Sequence, residues 1–370
     1  MSEYSPGLEG IIAGKTAISC VNEETGGLSY RGYGVEELAE KASFEEVAHL
    51  LIRGHLPTQS ELDAFCGTIM AHTHIPLALI DILRHLPVKA HPMDALRTGV
   101  SALGPFDPDV ADNGPEANER KAIRLLAQMP TIVSIIGRNR QDQPPVGPVD
   151  GLTFIQNFFH MLGMKMPGYL ACKVFGVSLI LYAEHEFNNS AFAARTVASS
   201  LSDMHSAVAA AIGALKGPLH GGANEAVMHM LLEIGETNRV ESWLKDKLAK
   251  KERIMGFGHR IYKQNEDSRS TIIKGYNKML AEHLGNTKWY EMSERLEALM
   301  LKEKGLHPNL DFYTASAYHL MDLPIELYTP IFVMSRVTGW ATHVMEQHAN
   351  NRLIRPTSEY IGPTGLKYGN

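Results

Sequence analysis

Strand signals are confined to the first 31 residues of this chain, and that confinement limits the fold more than any other feature. Ile11 to Cys20, rich in Ile, Ala and Thr, reads as a short strand. Glu23-Glu24-Thr25-Gly26-Gly27 reads as a turn, and Leu28 to Arg31 as the return strand of one small hairpin. Helix signals follow. Val35 to Lys41 and Phe44 to Arg53 are separated by Ser43, a candidate N-cap. Thr58 and Glu61 have capping-box spacing. Met93 to Leu103, Ala117 to Arg138 and Gly151 to Met161 follow as helices, with a Pro-rich surface loop over Gln141 to Val149.

The second half extends this pattern. Ser190 to Leu215 is rich in Ala and Ser, which let helices approach closely, and reads as a buried central helix or pair of helices. Glu225 to Ile234, Val240 to Lys251, Ser268 to Leu284 and Lys288 to Lys302 carry many lysines and glutamates, as suits a smaller, more exposed unit. In the helix Thr329 to His348, Met334, Val337, Ala341, Val344, Met345 and His348 share one face, with Arg336, His343 and Gln347 on another. The expected fold is all-α with a small N-terminal β-hairpin and fifteen or more helices, in a chain of 370 residues long enough for a large and a small domain.

Composition narrows the chemistry. A net charge of −6 offers no basic excess to neutralise phosphates, so a general nucleic-acid role is disfavoured. Cys20, Cys66 and Cys172 are widely spaced and odd in number, unlike a disulfide framework or thiolate metal site, and suit a reducing, cytoplasmic setting. Met1 to Pro6 carries no signal-peptide pattern, and no apolar run reaches membrane-spanning length. Several motif-like stretches fail on spacing. Gly10 to Thr16 has three residues between its glycines where a phosphate-binding loop needs four. Gly32-Tyr33-Gly34 lacks the third glycine of a dinucleotide fingerprint. His185-Glu186-Phe187-Asn188-Asn189 ends in Asn where a zinc-protease helix needs His. His72 and His74 have no acidic or thiol companion, so no metal is expected.

Three stretches remain: Gly217-Pro218-Leu219-His220-Gly221-Gly222-Ala223-Asn224-Glu225, Gly256-Phe257-Gly258-His259-Arg260, and Asn309-Leu310-Asp311-Phe312-Tyr313. Alone, each has an ordinary reading: a helix corner, a satisfied turn histidine, a helix N-cap. Together, two turn imidazoles and a carboxylate are the components for removing a proton next to a carbonyl. Arg269, Arg336 and Arg355 add guanidinium forks, natural receptors for carboxylates.

With these motifs in order between Tyr30-Arg31-Gly32, His91-Pro92-Met93-Asp94 and Arg355-Pro356, the chain resembles the citrate synthases of the short bacterial and archaeal kind, whose sibling is 2-methylcitrate synthase. The resemblance implies a large helical domain from 1–221 and 323–370, and a small domain from 222–322 that closes on it. It implies condensation of acetyl-CoA with oxaloacetate to citrate, or of propionyl-CoA to 2-methylcitrate. Asp311 would be the base, His220 the thioester donor and His259 the group polarising the oxaloacetate carbonyl. His185, Arg269 and Arg336 would be further oxaloacetate ligands, with Arg355 supplied by the partner of a homodimer. Coenzyme A, a co-substrate, would lie along Gly256, Phe257, Gly258, Arg260 and Lys263, with Lys302 or Lys304 more remotely. No metal or tightly bound cofactor is implied. Three departures stand out: Asp267-Ser268-Arg269 replaces the usual Asp-Pro-Arg, the stretch from His259 to Arg269 is one residue longer, and the tail after Arg355 is short.

Overall fold

The computed structural model describes residues 4–22, 27–259, 261–262 and 265–368. Strands β1 (Ser19–Asn22), β2 (Gly27–Tyr30) and β3 (Tyr33–Gly34) form one antiparallel sheet with Ser19 opposite Tyr30 and Tyr30 opposite Tyr33. The sequence therefore placed the first strand too early and missed the third. Residues 11–18 are irregular because their backbone is held elsewhere: the Ala17 N–H donates to the Glu346 carboxylate at 2.8 Å. Residues 23–26 of the expected turn lie outside the described residues.

Sixteen α-helices follow among the described residues. They are α1 (Val35–Lys41), α2 (Phe44–Arg53), α3 (Gln59–Ala71), α4 (Leu77–His85), α5 (Pro92–Leu103), α6 (Pro115–Arg140), α7 (Phe154–Met161) and α8 (Tyr169–Tyr182), then α9 (Asn189–Ala198), α10 (Met204–Leu215), α11 (Ala223–Ile234), α12 (Val240–Ala249), α13 (Ser268–His283), α14 (Lys288–Lys304), α15 (Leu310–Leu320) and α16 (Tyr328–Ala349). The predicted capping boxes form: Ser43 with Glu46 opens α2, and Thr58 with Glu61 opens α3. The Ala-rich stretch is two helices, the second capped by Asp203, which accepts from Ser206 N at 2.8 Å.

Helix α16 is the axis of the molecule. Every residue from Tyr328 to Val344 is buried, so the expected apolar and polar faces are both interior. It packs on α2, α6, α8, α9 and α10, while α11 to α15 pack largely on one another. Burying each large apolar side chain, Trp340 among them, contributes roughly 1.5–3 kcal/mol. Such a helix can afford polar residues on its inner side only where each finds a partner. Arg336, Trp340 and His343 do so, all toward the connection between α8 and α9. No helix among the described residues is long and apolar enough to cross a membrane.

Candidate active site

The connection from Ala183 to Asn188 enters the centre of the molecule and is anchored on every side. The buried Tyr30 hydroxyl lies 3.0 Å from both the Ile180 and Glu184 carbonyl oxygens. Ser19 Oγ donates to Glu184 Oε1 at 3.0 Å, and His343 Nε2 meets the same oxygen at 2.9 Å. Arg195 Nη1 donates to His343 Nδ1 at 2.8 Å, which puts the His343 proton on Nε2, facing Glu184. The small sheet and α16 thus clamp the residue before His185.

His185, buried, places Nε2 2.8 Å from the Tyr262 hydroxyl. Its ring meets that of His259 at 5.2 Å, and Tyr262 lies 4.5 Å from His259. Burial, then the Arg269 guanidinium, drives the His185 pKa well below its ordinary value. The same two causes lower His259 to about 4. His259 Nδ1 accepts from Ile261 N at 3.2 Å, so its proton sits on Nε2 as a donor. His220 falls to about 4 through burial, then the charge of Arg336. Its Nε2 lies 2.8 Å from Ser190 Oγ. All three imidazoles are therefore neutral near pH 7.

The two buried arginines differ. Arg269 Nε and Nη2 grip the Asp267 carboxylate at 3.0 and 2.8 Å, and Asp267 also caps α13 through Arg269 N at 3.1 Å. Arg336 donates Nε to the Tyr182 carbonyl at 2.5 Å, and its terminal nitrogens have no protein partner among the described residues. One fork is occupied and one is open.

Asp311 lies in the first turn of α15, and Asn309 is the N-cap, accepting from Asp311 N at 3.1 Å. The simple cap reading of Asp311 therefore fails, and its carboxylate is free for another task. Oδ1 accepts from the Tyr182 hydroxyl at 2.6 Å. Burial raises the Asp311 pKa to about 6, against the lowering effect of the Tyr182 bond and the Arg269 and Arg336 charges. A carboxylate tuned toward neutrality beside neutral imidazole donors can take a proton from weak carbon acids.

His185, His220, His259, Arg269, Arg336 and Asp311 thus share one electrostatic neighbourhood. Arg355 does not join it within this chain: it lies exposed in the irregular segment after α16. Gly256, Phe257 and Gly258 line the approach to α15, and Phe257 pairs with Pro308. Lys302 and Lys304 are exposed at the end of α14, while Arg260 and Lys263 lie outside the described residues. Among the described residues no group of three His, Cys, Asp or Glu could hold a metal. Sequence reasoning missed Tyr182, Tyr262 and Ser190. The one available signal was that Tyr182 and Ser190 bracket His185 within eight residues.

The citrate synthase C-terminal domain profile matches residues 7–357. The chain belongs to the citrate synthase family. Its members are acyltransferases that condense an acyl-CoA with a keto acid. The chain is 49% identical over 360 residues to a 2-methylcitrate synthase of Mycobacterium tuberculosis, covering 97% of this chain and 91% of that one. It is 45% identical over 360 residues to a citrate/2-methylcitrate synthase of Bacillus subtilis, covering 97% of each. The structure of citrate synthase from Thermoplasma acidophilum in ternary complex with carboxymethyl coenzyme A and oxaloacetate superposes with a TM-score of 0.92 at 32% identity, covering 100% of this chain and 98% of that one.

Proposed function

We propose that the protein joins the α-carbon of a short acyl-CoA to the ketone carbon of oxaloacetate and hydrolyses the resulting thioester. Acetyl-CoA would give citrate and propionyl-CoA 2-methylcitrate. The observation that carries this reading is Asp311: a carboxylate with a pKa near 6, held by Tyr182, in a pocket of neutral imidazoles beside an open guanidinium fork. Asp311 removes the α-proton. His220 donates to the thioester oxygen as enolate charge develops, an interaction typically worth about 2.7–4 kcal/mol. His259 donates Nε2–H to the ketone oxygen, which becomes the alkoxide and takes up a proton. Arg336, Arg269 and His185 hold the substrate carboxylates. Water then cleaves the thioester and CoA leaves as the thiol. The loop around Gly256 to Gly258, with Arg260 and Lys263, takes the coenzyme, and the 222–322 unit closes over it.

Both acyl donors are retained because relatives named citrate synthase and 2-methylcitrate synthase are each 49% identical to this chain. One methylene is worth only about 1–3 kcal/mol of discrimination in a pocket. The test is thiol release with acetyl-CoA and propionyl-CoA at saturating oxaloacetate. We expect turnover of both, with kcat/KM values within about tenfold. A larger ratio assigns a single donor, and no release with either sinks the reading.

Oxaloacetate has two carboxylates, and Asp267 already holds Nε and Nη2 of Arg269, which leaves that arginine only Nη1 for the substrate. We therefore assign Arg355 of a second copy to the remaining negative charge, in a homodimer of a 40.9 kDa chain. Mass photometry should show the dimer, and Arg355→Gln should raise the oxaloacetate KM. A fully active monomer overturns this assignment.

A further inference from the structure

We propose that Trp340 is a positioning residue for His220, acting through the Ser190 hydroxyl to keep the imidazole proton on Nδ1. The proposal rests on the reading of His220 as the thioester donor and explains what makes it one. Ser190 is fully buried, and three polar atoms surround its Oγ: Trp340 Nε1 at 3.0 Å, His220 Nε2 at 2.8 Å and Asn188 Oδ1 at 2.7 Å. A hydroxyl has one proton and two lone pairs, while an indole N–H only donates. Trp340 therefore occupies one lone pair, and the single hydroxyl proton must go to Asn188 or to His220.

The two choices give opposite imidazoles. If the proton goes to Asn188, His220 must carry its own proton on Nε2 and donate it to Oγ, leaving Nδ1 bare. If it goes to His220 Nε2, the ring proton sits on Nδ1. That nitrogen has no protein partner among the described residues and is free to donate to a substrate oxygen. Three features favour the second arrangement. The Ser190 backbone N–H also points at Nε2, from 3.3 Å, so Nε2 is approached as an acceptor. Asn188 Oδ1 accepts from Ala191 N at 3.1 Å as the cap of α9, so it keeps a donor when the hydroxyl proton goes to His220. And an oxygen that already accepts one hydrogen bond is a stronger donor and a poorer second acceptor. The indole N–H thus disfavours the arrangement in which Oγ accepts twice. Trp340 is one turn beyond Arg336 on α16, so the helix that holds the keto-acid arginine also sets the proton on the thioester histidine.

The competing explanation is that Trp340 is a core side chain and Ser190 merely satisfies its N–H. Replacing Trp340 by β-(3-benzothienyl)alanine separates the two, because sulfur takes the place of N–H while the bicyclic shape stays. Using an acyl-CoA that the wild type turns over, kcat should fall about tenfold with the oxaloacetate KM within about twofold. The primary isotope effect with α-deuterated acyl-CoA should rise as proton abstraction becomes more rate-limiting. Trp340→Phe should behave alike, and Ser190→Ala with Trp340→Phe should be no slower than Ser190→Ala alone, since both act on one bond. A benzothienyl variant within twofold of wild type, losses that multiply, or a slower enzyme with an unchanged isotope effect and a lower Tm would each overturn the inference. Failure of the wild type to release CoA would instead remove the proposed function.

Discussion

Two connections bring their histidines into contact with each other by different means. The α8–α9 connection, which carries His185, is held by side chains: Tyr30, Ser19, Arg336 and His343 each bind it from behind. The α12–α13 connection, which carries His259, is held by backbone. Gly258 N donates to His307 O at 2.9 Å and Asn309 N donates to Gly256 O at 2.9 Å, with Asn309 Nδ2 reaching Gly258 O at 3.2 Å. The first is a fixed wall whose charge state is set by its surroundings. The second is pinned to residues 307–309, directly before Asp311. His259 and the Asp311 carboxylate are therefore tied to each other through backbone hydrogen bonds.

The largest test of this division is Asp311→Asn, where the two regions meet. General-base catalysis contributes about 10²–10⁴-fold, so kcat should fall by about a thousandfold while oxaloacetate, which Asp311 does not hold in the proposed function, binds within a few-fold of wild type by calorimetry. Equal loss of both would mean Asp311 also builds the wall. The stability sign runs the other way. The carboxyl pKa is raised on folding to about 6, so its ionised form burdens the native state above that pH and not below about 4. Asp311→Asn should melt higher than wild type at pH 8, with the gain vanishing by pH 4.

Glycines test each region separately. Gly256 has φ +81°, and a Cβ there would lie 2.6 Å from Val227 Cγ2 and 2.8 Å from Phe312 Cδ2. Gly256→Ala should lower both Tm and kcat, the latter about tenfold or more, given backbone strain of roughly 1–3 kcal/mol. Gly339 lets α16 touch the first connection: a Cβ would lie 2.2 Å from Glu184 Oε2 and 2.5 Å from the Ala183 carbonyl oxygen, which cannot rotate away. Gly339→Ala should show up chiefly as an oxaloacetate KM raised about tenfold. If the two variants gave the same kinetic pattern, the distinction between wall and docked loop would be lost.

Tyr182→Phe is a smaller perturbation across the two regions. The Tyr182 hydrogen bond holds the Asp311 pKa down, so its loss should move the acid limb of the kcat/KM profile upward from about 6. Activity should fall several-fold more at pH 6 than at pH 8.5 relative to wild type. An unmoved limb would mean that another group titrates there.

How much of this was legible in the sequence depended on what kind of force held each element. Helices with caps and amphipathic faces, such as α2 and α3, were readable because their signals are local. Helix α8 was not: from Val174 to Tyr182 it is buried on all sides, so it has no period, yet it delivers Tyr182 and His185. His220, His259 and Asp311 were visible from glycine-rich turns and family resemblance. Tyr182, Tyr262 and Ser190 were missed because, apart from the closeness of Tyr182 and Ser190 to His185, their importance lies in a partner distant along the chain, as with Tyr182 and Asp311, 129 residues apart. Arg336 was legible as a cation, but only the structure separates its open fork from the occupied one of Arg269.

The smallest expected effect concerns Ser268, where the second connection departs from the family's proline. Ser268 is the first residue of α13, after the Asp267 cap. Proline suits that position because its N–H is one the helix leaves unpaired anyway. Among the described residues, Ser268 N makes no backbone hydrogen bond and its buried hydroxyl has no partner. Asp267, at φ −73° and ψ 110°, already has the extended backbone a following proline demands. Ser268→Pro should therefore stabilise by about 0.4–1 kcal/mol, or roughly 1–2 °C in Tm. It should leave the oxaloacetate KM unchanged, because the Asp267 grip on Arg269 does not involve residue 268. A raised KM would show that the serine sets the angle at which Arg269 leaves α13, and the His259 connection would then be tuned by a side chain after all.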